Sequence, residues 1–112
     1  MEELKLPTAV FVWPRRFEVR HTAVPDCNDM GQITLSDRTI YVRPGASRQE
    51  EALTLCDEVV HAMVASVGDY RISEAVAGGM AQMLFAVIRD NPEFVRYVQA
   101  IPEEIPEKGW TG

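Results

Sequence analysis

The chain of 112 residues carries seventeen Asp/Glu against eleven Lys/Arg, a formal net charge of −6. That balance disfavours sequence-independent nucleic-acid binding, which uses cationic groups to displace counterions from phosphates. With 46% hydrophobic and 25% charged residues, one domain of this size can bury a core without staples, so Cys27 and Cys56 are expected as free thiols.

From the N-terminus, residues 1–5 are charged and the apolar run 9–13 is too short for the core of a signal peptide, so none is expected. Residues 8–13 are β-branched and aromatic, and Pro14 stops them. Phe17, Val19 and His21 alternate with Glu18, Arg20 and Thr22, which is the period of a strand. Residues 25–31 are dense in turn formers. Residues 32–35 and 39–43 predict a hairpin with Ile33, Leu35, Ile40 and Val42 buried, closed by Pro44-Gly45.

Ser47 followed by Glu50 fits a capping box and opens a helix to about Ser66. Ala52, Leu55, Cys56, Val59, Val60, Met63 and Val67 recur at three- and four-residue spacing, which makes one broad apolar face. Gly68 is the expected stop. Ser73 opens a second helix to about Arg89, so apolar from Val76 to Ile88 that it is expected to be the most buried element. Asn91-Pro92 starts a third, short helix to about Ala100. Residues 102–112 predict an acidic, Pro-rich tail behind a single domain spanning 1–101. Strands come first and helices after, so the class is α+β. No run approaches the ~18 apolar residues of a membrane span, and a cytoplasmic location is expected.

Chemistry concentrates in Leu55-Cys56-Asp57-Glu58-Val59-Val60-His61. Asp57 and His61 are four apart, so they project from one face one turn apart and can hold one metal ion. Glu58 stands beside them, where a general base activates a water. Without an ion, Asp57 and His61 would make an (i, i+4) hydrogen-bonded pair, worth about 0.2–0.5 kcal/mol.

Residues 31–44, followed by a Ser-capped helix carrying Thr54-Leu-Cys-Asp-Glu-Val-Val-His-Ala-Met63, resemble small phage- and prophage-encoded zinc metallopeptidase-like proteins, short relatives of the ImmA-type peptidases. In that family a strand hairpin precedes a helix bearing His-Glu-x-x-His. A second helix follows and often ends in Arg-Asp-Asn-Pro, as Arg89-Asp90-Asn91-Pro92 does here. The resemblance covers roughly residues 30–98 and implies a minimal zincin-like fold with zinc and peptidase chemistry. The chain departs from the pattern in two places. Asp57 stands where the family has its first His, so only Glu58 and His61 carry over. The family's third ligand, a Glu on the next helix, falls near Ala77, Gly78 and Gly79, which cannot ligate; Glu74, one turn earlier, can substitute. The set Asp57, His61 and Glu74 offers one nitrogen and two carboxylates, poorer for zinc than two imidazoles and a carboxylate.

These departures lead to the expectation of a degenerate, non-catalytic scaffold without a bound cofactor. By the resemblance it would be a phage-type pseudoenzyme in a bacterial host cell that binds or inhibits a host protein. The acidity suits such docking, since residues 49–112 hold eleven Asp/Glu against four Lys/Arg and charge complementarity speeds association. Several of those carboxylates belong instead to helix starts, the tail and the candidate site. One alternative is an active zinc hydrolase in which Asp57, His61 and Glu74 hold the metal and Glu58 is the base. Another is a structural or adaptor phage protein. Neither nucleic acid nor membrane is expected as a direct partner, and the oligomeric state is not legible.

Other candidates read as structural. His21 is expected to serve the strand, and Cys56 to be a buried small hydrophobe. Cys27 has no basic neighbour to lower its pKa. Gly78-Gly79 lies mid-helix, where it allows close helix approach or a kink. Arg15, Arg16 and Arg20, interleaved with Trp13 and Phe17, either bind nucleic acid by charge and stacking or form a salt-bridged strand surface.

Overall fold

The computed structural model describes residues 5–25, 28–45, 47–68 and 72–102. Four strands precede three helices: β1 Ala9–Val12, β2 Arg15–His21, β3 Gly31–Thr34, β4 Thr39–Val42, α1 Arg48–Val67, α2 Glu74–Asp90 and α3 Pro92–Ala100. The class is α+β, as the order of periodicities predicts. Cys27 and the tail from residue 103 onward lie outside the described residues, and Cys56 is a half-buried free thiol.

The sheet order is β1-β2-β4-β3, with β2 and β4 parallel and the outer pairs antiparallel. The two central strands therefore carry the fully buried side chains Phe17, Ile40 and Val42, with Val19 beside them. Arg16, Glu18 and Arg20 take the opposite, solvent face, as the two-residue period requires. The predicted hairpin is present, but its first strand ends one residue early. Leu35 falls in the turn and is 53% exposed rather than buried. The chain reverses there, with Arg38 N–H donating to the Leu35 carbonyl and Arg38 at φ 53°.

Helix α1 starts where Ser47 Oγ accepts the Glu50 N–H at 3.1 Å. The carboxylate that reaches back is that of Glu51, to the Gly45 N–H at 2.8 Å. Two cores flank this helix. On one side Leu55, Val59 and Ala62 pack against Val12, Phe17, Val19, Ile40 and Val42 of the sheet. On the other, Val60 meets Ala77 and Ala81 of α2, with Cys56, Val64, Ile72 and Leu84 around them. Met63 and Val67 fall off both faces and are exposed.

Helix α2 is not the most buried element. Only Ala77 and Ala81 are buried, while Val76, Met80, Met83, Val87 and Ile88 are exposed. The physical reason is layering: α2 packs against α1 on one side, and among the described residues only the short α3 joins it elsewhere. Gly78 and Gly79 do not serve close packing either, since a Cβ added at either would meet nothing within 4 Å.

Candidate metal centre

Glu50, Thr54, Asp57, Glu58 and His61 recur at three- and four-residue spacing, so α1 presents them on one face. That face floors a cleft of about 820 Å³. One wall is β3, through Gly31, Gln32 and Ile33; the other is α2, through Glu74, Gly78 and Ala81. Gly31 belongs there for a steric reason. A Cβ at this position would stand 2.5 Å from Thr54 Cγ2 and 3.0 Å from Glu58 Oε2, so a side chain would push into the α1 carboxylate.

Asp57, Glu58 and His61 each bring a ligand atom within 4.8 Å of the others. His61 Nε2 lies 3.8 Å from Asp57 Oδ2 and 3.8 Å from Glu74 Oε2. Both separations exceed hydrogen-bond reach, so the expected (i, i+4) pairing of Asp57 with His61 is present as an ion-pair contact rather than as a hydrogen bond. Two donors held ~2.0–2.2 Å from one ion stand at most ~4.4 Å apart, and both separations satisfy that limit. The donor atoms of Asp57, Glu58 and His61 are the ones grouped closely enough to share an ion, and Glu74 comes within 3.8 Å of His61 from the facing helix. The four expected site residues are thus brought to one cleft, although Glu74 belongs to the exposed first turn of α2 and its side chain is 86% exposed.

The electrostatics follow from crowding. Glu58 is only 6% exposed, and its carboxyl is pushed up to about 7, first by burial and then by the charges of Asp57, Glu74 and Asp29. Burial also raises the Asp57 carboxyl, with Glu74 adding to the shift and His61 opposing it. Sequence reading missed Asp29, Gly31 and Thr54. Thr54 was within reach of it, lying one turn before Asp57 and Glu58 on the same face. Asp29 and Gly31 sit in the turn and strand opposite, and only the packing of β3 on α1 makes them neighbours.

The remaining candidates stay outside the cleft. His21 Nε2 contacts Glu51 Oε2 at 2.9 Å, so it ties the end of β2 to α1, the structural role expected. Arg20 pairs with Glu18 at 3.4 Å on the exposed strand face. Phe17 is buried beneath the sheet, which removes it from any stacking surface with Arg15 and Arg16.

Compared with known protein families, curated proteins and solved structures, the chain matches none. No helix among the described residues is long and apolar enough to cross a membrane.

Proposed function

We propose that the protein is a divalent-metal-dependent hydrolase of metallopeptidase-like layout, in which Asp57, His61 and Glu74 hold the ion and Glu58 is the general base. The observation that carries this reading is the grouping of Asp57, Glu58 and His61, whose ligand atoms all lie within 4.8 Å of one another in the cleft, with Glu74 3.8 Å from His61 Nε2. Glu74 comes near the histidine although Gly78 and Gly79 cannot ligate, which supports the hydrolase alternative. A bound divalent cation supplies Lewis acidity toward a substrate carbonyl and lowers the pKa of a water. Glu58 takes the proton. Its carboxylate lies beside Asp57 and His61 on the same cleft, within reach of a water held there. The open cleft admits substrate between β3 and α2.

The test is metal content and turnover. Protein purified without chelator should carry about one divalent ion per chain, and His61→Ala should lose it. Glu58→Gln should retain the ion while hydrolysis of peptide substrates falls by about two to four orders of magnitude. A wild-type chain that takes up no metal sinks the reading.

A second reading, a non-catalytic protein that binds a partner, is favoured by one observation. Helices α2 and α3 expose Met83, Val87, Ile88, Phe94, Tyr97 and Val98, and exposed apolar surface is a feature of interaction sites. Phage origin and a host target would follow from the resemblance. Capture of a host protein that survives His61→Ala but is lost on charging Met83 and Ile88 would favour it.

A further inference from the structure

We propose that Asp57 sets the metal preference of the cleft, turning it toward an oxygen-preferring divalent cation of the manganese class; this rests on the metal-centre reading above. Of the three side chains whose donor atoms cluster there, two are carboxylates and one is an imidazole, and Glu74 brings a further carboxylate within 3.8 Å of that imidazole. Carboxylate and water oxygens suit magnesium, calcium and manganese, whereas zinc gains most from imidazole and thiolate.

Two further observations support the assignment. Glu58 is more than nine-tenths buried as a residue and lines the cleft, so its carboxylate faces the cleft space rather than a protein donor among the described residues. A buried acid left in that state is favoured by a cation near it. The only thiol on α1, Cys56, lies in the packing between α1 and α2 and lines a different depression, beside Leu6 and Phe85. No thiolate can therefore complete a zinc-like set from this helix. The breadth of the cleft also leaves positions for the waters that a six-coordinate ion keeps.

Nitrogen and oxygen sites bind zinc more tightly than manganese in raw affinity, so the proposal is read as a ratio. The metal-free full chain is titrated with Mn²⁺ and with Zn²⁺ separately, by calorimetry and by the electron paramagnetic resonance signal of free Mn²⁺. Wild type should bind both ions. Asp57→His exchanges an oxygen donor for a nitrogen at one helical position. It should move the ratio of zinc to manganese affinity toward zinc by about tenfold or more, the scale of a change near a metal. Asp57→Asn keeps the shape and removes the charge, and should weaken Mn²⁺ by a similar factor even if the histidine variant does not fold. Zinc binding that ignores both substitutions, or a wild type that takes zinc and no manganese, overturns the inference and leaves the metal centre standing. A wild type that binds neither ion removes both.

Discussion

Glu58 is the residue on which the site's physics turns. Burial and three neighbouring carboxylates raise its pKa to about 7 from an ordinary 4.5, so the metal-free folded protein holds the Glu58 proton more tightly than the unfolded chain. Its contribution to stability is therefore full below about pH 4.5 and is lost as pH rises through 7. Glu58→Gln removes that dependence. With chelator present, urea unfolding should show the variant more stable than wild type by about 2 kcal/mol at pH 8, after discounting for solvent screening, and equal to it near pH 4.5. A wild type with no such pH slope would remove the argument. Gly31 is the second sensitive residue. Gly31→Ala drives a methyl group into Thr54 and Glu58, and such overpacking should cost about 1–3 kcal/mol. The same variant should lower turnover more than metal content, because the displaced carboxylate is that of Glu58, the proposed base.

Among the elements, α2 is the most open to change. Gly79 is exposed and has open space where a Cβ would go. Gly79→Ala should therefore stabilise the protein by about 0.5–1 kcal/mol, read as a higher Tm. Ser73 Oγ accepts the Val76 N–H at 3.1 Å, and Ser73→Ala should cost about 1 kcal/mol. Because this cap fixes the turn bearing Glu74, the loss should also weaken metal binding. The start of α1 is held differently. The Glu51 carboxyl is lowered chiefly by the Gly45 N–H and then by His21, so its clamp on β2 acts above the ordinary carboxylate range and is lost as pH falls through the lowered pKa. Glu51→Gln should lower Tm at pH 6 and converge with wild type in acid.

At the scale of the whole molecule, layering decides what tolerates substitution. The sheet, α1 and α2 stack in sequence, and α1 is covered on both sides while α2 is covered on one. Met83→Glu and Ile88→Glu should therefore leave unfolding free energies within about 0.5 kcal/mol of wild type, whereas Ala81→Glu, at 2% exposure, should prevent folding by placing a charge between helices. Denaturant titration of the three variants checks the contrast. The negative charge has a place in the same scheme. Asp57, Glu58 and Glu74 line the cleft, and Glu50 and Glu51 open α1, where the helix dipole favours carboxylates. Much of the acidity is thus site and capping, which weakens the case for a broad acidic docking face.

The sequence by itself determined the element types and most of their ends. Alternation and three-to-four spacing follow from the geometry of the backbone, and Ser47, Gly68, Ser73 and Pro92 act within a few residues of where they stand. It also determined that Asp57, Glu58 and His61 share one helical face. Only the tertiary structure decided the burial of those faces and the company they keep. Leu35 lost its buried position to the turn, α2 was left half-covered by the described residues, and His21 found Glu51 thirty residues away. Whether Glu74 and Asp29 approach the helix was settled in the same way, by packing between segments distant in the chain. Such distances depend on how whole elements stack, and local periodicity carries no information about them.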